Sequence, residues 1–228
     1  MTVLYEDNHL MIVSKRSGEI VQGAKTGDEP LSETVKHYIK EKYNKPGAVF
    51  LGVVHRLDRP VSGLVVFART SKALARLNKM FAEGQVHKTY WAIVEVGSEK
   101  FDMRDERMLE HWLVRNEKQN KSYAYDHEVP HSKLARLRCR QIASSDHYNL
   151  LEVQLMTGRH HQIRCQLSAI GCPIKGDLKY GARRSNPDGN ISLLARHIEF
   201  EHPVSHELIS IDAPLPDDSL WNYFSKVL

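Results

Sequence analysis

The chain has 228 residues, 41% hydrophobic and 26% charged, with 13 histidines and a formal net charge of +4. That is the composition of a globular protein long enough to bury a sizeable core, as one large domain or two intimate subdomains. No apolar run approaches the ~20 residues that span a bilayer, and a mildly basic balance permits a polyanionic partner without requiring one.

Cys139, Cys165 and Cys172 are an odd number without C-x-x-C spacing. Neither a disulfide framework nor a zinc knuckle is expected, and the three read as small buried hydrophobes. The N-terminus has no basic stretch followed by an apolar core, so no secretory signal is visible. These features together place the protein in the cytoplasm.

In chain order, Glu6-Asp-Asn-His9 reads as a turn before a short strand, Leu10–Val13. Residues 31–43 carry Leu31, Val35, Tyr38, Ile39 and Tyr43 on one helical face, with Pro30 in the first turn and Asn44–Gly47 ending the helix. A second helix is expected from a Ser71 cap, with Leu74, Leu77 and Phe81 inward and Gly84 as the stop. Thr89–Val96 alternates as a strand. Residues 97–133 are polar and read mostly as strand-and-loop surface.

Strands resume near Ala135–Ile142 and Leu150–Met156. A third helix is expected from about His160 to Ile170, ended by Gly171 and Pro173. Strand-like runs at Ile191–Leu194, His197–Glu201 and Leu208–Ile211 follow. Strands outnumber helices and short turns join many of them. That argues α+β, with an extended mixed, mainly antiparallel sheet flanked by helices. No repeat, low-complexity tract or linker is visible.

One segment carries chemistry. His55-Arg56-Leu57-Asp58-Arg59-Pro60-Val61-Ser62-Gly63 is a polar turn between two apolar runs. It places one carboxylate, Asp58, beside two guanidinium groups, which favour the charged form. An ionised Asp serves as a nucleophile or base. The competing reading is a turn Asp that bonds its own backbone.

Two further stretches decide between them. These are Lys88-Thr-Tyr90-Trp-Ala-Ile-Val94 and Thr157-Gly-Arg159-His160-His161-Gln-Ile-Arg164-Cys-Gln-Leu167. With the Asp58 turn they spell H-R-L-D-x-x-x-S-G-L, K-x-Y-x-A-x-V and T-G-R-x-H-Q-I-R. In that order and spacing, the chain closely resembles the RluA-type family of RNA pseudouridine synthases. The likeness runs from Val3 to about Phe200. It implies an α+β fold with the active cleft across the middle of the sheet. It also implies a catalytic domain that starts within ten residues of Met1, without the small RNA-binding module many members carry ahead of it.

The resemblance further implies an isomerase that needs no metal or other cofactor. Its partner would be RNA, ribosomal or transfer, with the target uridine in a stem-loop; no membrane or protein partner is implied. Asp58 would supply the reactive carboxylate, attacking the sugar or the uracil ring, or deprotonating the ribose. Arg164 would be its ionic partner, since a planar guanidinium suits two-point pairing to a carboxylate. Tyr90 would stack on the target base. Arg56 would either fill the stack vacated by the flipped uridine or pair with phosphate. His55, Arg59, Arg159 and His160 would line the site or meet phosphates. Val61 stands where threonine is commoner in the family, and Lys15-Arg16-Ser17-Gly18 stands for K-P-x-G.

Competing chemistries fit poorly. His127-Glu128-Val129-Pro130-His131 spells the H-E-x-x-H of zinc proteases. That motif works only on a helix, and Pro130 falls inside the required turn. The deaminase pattern and a Gly-rich phosphate loop are missing, and a single motif carboxylate does not make a glycosidase. His202 and His206 read as strand-end surface histidines. The non-enzyme alternative is an RNA-binding or ribosome-assembly factor that keeps the fold.

Overall fold

The computed structural model describes residues 1–23, 27–96 and 105–228. Its elements are β1 (Thr2–Glu6), β2 (Leu10–Lys15), α1 (Leu31–Lys42), β3 (Gly52–Val53), β4 (Ser62–Ala68), α2 (Ser71–Ala82) and β5 (His87–Glu95). Then come β6 (Arg107–Asn116), β7 (Lys121–Tyr125), β8 (Lys133–Ser144), β9 (Tyr148–Leu155), α3 (Gln162–Ala169), a 3-10 turn (Leu178–Tyr180), β10 (Leu193–Glu201), β11 (Leu208–Asp212) and α4 (Ser219–Val227). The expected polar stretch at 97–133 holds β6 and β7; its residues 97–104 lie outside the described part. No helix is long and apolar enough to cross a membrane among the described residues.

The chain divides into two compact units, Met1–His87 with Ala195–Pro214, and Lys88–Leu194 with Leu215–Leu228. In the first, β2 pairs antiparallel with β1 and β4, β3 with β4, and β11 with β10. β4 is apolar on both faces, because strand neighbours and helix α2 cover it; Leu64 to Ala68 are all buried. Gly63, at φ +114, is required here: a Cβ would stand 2.3 Å from the Ala195 carbonyl oxygen. α1 buries Leu31, Val35 and Ile39 as its spacing predicts. α2 is capped by Thr70, whose hydroxyl accepts from the Ala73 N–H at 3.1 Å, so Ser71 is the first helical residue and not the cap.

In the second unit β5 pairs with β9, β9 with β8, β8 with β6 and β6 with β7, all antiparallel. α3 packs against β6 and β7. It begins at Gln162, two residues later than expected, because His161 at φ 52 takes a left-handed conformation that a right-handed helix cannot include. The Gln162 side chain then fixes the preceding loop. Its Oε1 accepts from the Thr157 hydroxyl (2.8 Å) and the Arg159 N–H (2.9 Å), and its Nε2 donates to the Arg136 carbonyl (3.0 Å).

Other expectations are settled locally. Cys139, Cys165 and Cys172 are free and buried. The H-E-x-x-H segment lies in the loop between β7 and β8, with a turn closed by the Ser132 N–H on the Val129 carbonyl. Among the described residues no group of three metal-ligating side chains occurs. His206 is exposed as expected, but His202 is buried. Its Nδ1 accepts from the N–H groups of Val204 (3.1 Å) and Ser205 (2.9 Å), which turns the chain between β10 and β11.

Candidate active site

The Asp58 segment is the loop from β3 to β4, whose two strands meet at Val53–Phe67 and Gly52–Ala68. Leu57 and Val61 are buried while Arg56 and Arg59 are exposed and Asp58 is half-buried. Two apolar anchors thus hold the loop down and present the carboxylate between them. A turn closes on it where the Val61 N–H donates to the Asp58 carbonyl at 3.0 Å. His55 is held in place: its Nε2 accepts from the Val66 N–H (2.9 Å) and its ring stacks on Phe81 at 4.9 Å. Arg59 pairs with Asp28 at 2.9 Å, half-exposed on both sides.

Lys15, at the end of β2, has a structural role that its place in the K-P-x-G counterpart does not reveal. It is only 1% exposed, and its ammonium donates to the carbonyls of Arg16 (2.9 Å), Arg59 (3.1 Å) and Val61 (2.6 Å). Two of those carbonyls, Arg59 and Val61, follow Asp58 directly, so one buried cation fastens the C-terminal side of the turn. Burial pushes the ammonium down to about 8, against the opposing charges of Glu19 and Asp58. The sequence signal was a lysine closing a wholly apolar strand run, Leu10–Val13.

In the second unit, Tyr90 lies on β5 opposite Val153, and its side chain is nearly buried. Lys88, two residues earlier, has its ammonium pushed below the usual lysine range by burial. Arg159, His160 and Arg164 gather at the start of α3. Arg159 is exposed and its Nε donates to the Leu134 carbonyl at 3.0 Å. His160 stacks on His161 at 3.8 Å and contacts the Ser122 hydroxyl through Nδ1 at 2.9 Å.

Arg164 sits in the interior. Its Nε and Nη2 donate to the two oxygens of Asp177 at 2.6 and 2.9 Å, and its guanidinium lies 5.0 Å from the centre of the Tyr180 ring. The Tyr180 hydroxyl accepts from the Ser122 N–H (2.8 Å) and meets His161 Nδ1 (2.9 Å). Burial, then the Arg164 charge, drive His161 down to about 2, while burial pushes the Tyr180 phenol up to about 12. Both are therefore neutral, joined by one hydrogen bond between the phenol and the imidazole. Gly176 makes Asp177 possible: at φ +88, a Cβ there would come within 2.6 Å of the Asn190 carbonyl oxygen. Asp177 and Tyr180 were missed because they lie in a polar loop whose partners are 13 or more residues away.

The sequence matches the RNA pseudouridylate synthase family over residues 9–169. Among curated relatives it is 31% identical to "Ribosomal large subunit pseudouridine synthase D" of Zymomonas mobilis, covering 96% of this chain and 70% of that protein. It is 33% identical to the Xanthomonas campestris protein of the same name, covering 96% and 67%. Among solved structures, "Human RNA Pseudouridylate Synthase Domain Containing 4" superposes with a TM-score of 0.79 at 21% identity, covering 98% of this chain and 92% of that one. That likeness supports the fold. The chain belongs to the RNA pseudouridylate synthase family, in its RluA-type branch. Its reaction class is accordingly an isomerisation.

Proposed function

We propose that the protein converts a specific uridine of structured RNA to pseudouridine, with Asp58 as the nucleophilic carboxylate. The observation that carries this reading is the anchoring of the Asp58 loop. Leu57 anchors the backbone before a half-buried carboxylate, and Val61 with the Lys15 bonds to the Arg59 and Val61 carbonyls anchors it after. Preorganisation of this kind keeps a reacting group within attack geometry. In the overall reaction the N1–C1′ bond breaks, a C5–C1′ bond forms, and a proton leaves C5 while N1 gains one. Atoms and electrons balance without a donor, oxidant or metal.

Arg164 acts as the ionic partner of Asp58 and Tyr90 stacks on the uracil. Arg56 holds the gap left when the nucleotide is flipped out, at a cost of a few kcal/mol in unstacking. His55 forms the wall, and Arg59, Arg159 and His160 line the RNA path. Relatives named for the large ribosomal subunit favour ribosomal RNA as the substrate; an accessible stem-loop, met in the cytoplasm, completes the reading. The test is to map pseudouridines in RNA from cells with and without the gene, complemented by wild type or Asp58→Asn. Sites lost on deletion and restored only by wild type are expected. An unchanged pseudouridine map would overturn the reading.

A further inference from the structure

Two sets of charged side chains in the second unit contrast with one another. On β8 each arginine has a carboxylate across the strand: Arg136 with Glu110 (2.6 Å), Arg138 with Glu106 (3.8 Å) and Arg140 with Glu152 (2.9 Å). Around the turn between β6 and β7 the balance is different. Arg115, Lys118 and Lys179 are exposed, and among the described residues none of them is ion-paired. Lys179 donates to the carbonyls of Gln119 (3.4 Å) and Asn120 (3.1 Å), so the 3-10 turn is fastened to the β6–β7 turn and its charge is held there. Lys121 lies over the rings of Tyr123 (5.5 Å) and Tyr180 (5.2 Å). The charges of Lys179 and Arg115 are both felt at His161, which places them around the same helix start. Glu117 is the carboxylate of the turn itself, and Asp177 is occupied by Arg164.

Gathered like charges repel and weaken the compact state. On β8 of the same unit each arginine is paired with a carboxylate. A cluster on a hairpin tip that stays net positive beside its one carboxylate, Glu117, suits an external polyanion. We propose that the β6–β7 turn, with Arg115, Lys118 and Lys179, is a docking surface for the phosphodiester backbone of the RNA. This rests on the reading of the chain as acting on RNA, and it adds where the backbone is held. Contacts of this kind fix position and register without reading sequence. Each phosphate neutralised releases counterions, so the surface has a measurable signature in salt dependence.

The experiment uses the full chain and a ribosomal RNA stem-loop that the wild-type protein converts. Affinity is measured from low to moderate salt for wild type, for Arg115→Gln with Lys118→Gln, and for Arg138→Gln. The double variant is expected to reduce the slope of log affinity against log salt by about 1.5, at about 0.7–0.9 per lost contact. Arg138→Gln should leave the slope unchanged, because its charge is already paired. Lys118→Gln alone, at an exposed turn position, should reduce the slope by about 0.8 and serves if the double variant folds poorly. An unchanged slope in the turn variants, or an equal loss in Arg138→Gln, would overturn the docking surface while leaving the activity standing. A wild-type protein that converts no RNA would overturn the activity and the surface together.

Discussion

Asp177 holds Arg164 by two nitrogens at once, with the arginine side chain 6% and the aspartate 1% exposed. A buried pair of this kind adds little net stability, but removing one partner strands the other charge at a cost of about 3–5 kcal/mol. Asp177→Asn should therefore lower stability by about 3 kcal/mol and depress turnover. Arg164→Met with Asp177→Leu should recover most of the stability and none of the turnover. Chemical denaturation and single-turnover assays of each variant check this. Recovery of activity together with stability would show that Arg164 only fills space.

Asp58→Asn should abolish pseudouridine formation while leaving folding and RNA affinity near wild type. The loop is held by Leu57, Val61 and Lys15, whose contacts the substitution leaves in place. Losing a nucleophile acts on the barrier, where each 1.4 kcal/mol is about tenfold in rate. Residual activity within tenfold of wild type, in a quenched time course, would remove Asp58 from the central role.

Lys15 gives a pH-dependent test. Its folded value is about 8, against an ordinary value of 10.5. Below both values the two states are equally protonated, and the folded state carries the full penalty of a buried charge. Between them the unfolded chain holds a proton that folded Lys15 has released, so stability rises with pH through that window. Urea midpoints at several pH values should thus rise from pH 8 to 10.5 in wild type relative to Lys15→Met. Parallel curves for the two proteins would show that Lys15 is not perturbed.

Local pattern carried much of this fold. α1 follows from its 3.6-residue spacing, and β5, β8 and β9 from alternation and apolar content. What pattern could not carry was conformation and partnership across distance. No sequence rule marks His161 as left-handed, so α3 was extended too far upstream. β10 joins the end of the expected run Ile191–Leu194 to His197–Glu201 across Arg196. In the fold that charge is met by Asp212 at 3.2 Å and by the Ala213 carbonyl, and the strand continues through it. α4 went unread, although Asp218 caps it on the Leu220 N–H and Trp221 and Phe224 bury one face. For the proposed site, the motifs supplied Asp58, Tyr90 and Arg164. Asp177, and the grip of Lys15 on the Asp58 loop, became visible only through the groups they hold, which spacing does not encode.

Arg56 and Arg164 should fail in different ways. Arg56 is exposed on the Asp58 loop, whereas Arg164 is buried behind two hydrogen bonds to Asp177. If Arg56 fills the vacated stack, its value depends on how strongly the target nucleotide is stacked to begin with. Extraction costs a few kcal/mol from a paired, stacked position and much less from an open loop. Arg56→Ala should therefore be slow on a stem-loop whose target uridine is paired, and partly rescued when a mismatch or an enlarged loop frees it. Arg164→Ala should be equally impaired on both RNAs, because its loss acts after the base has been taken up. Single-turnover rates on the paired and unpaired versions of one stem-loop make the comparison. Equal losses for both variants on both RNAs would show that flipping and chemistry are not divided between these two arginines.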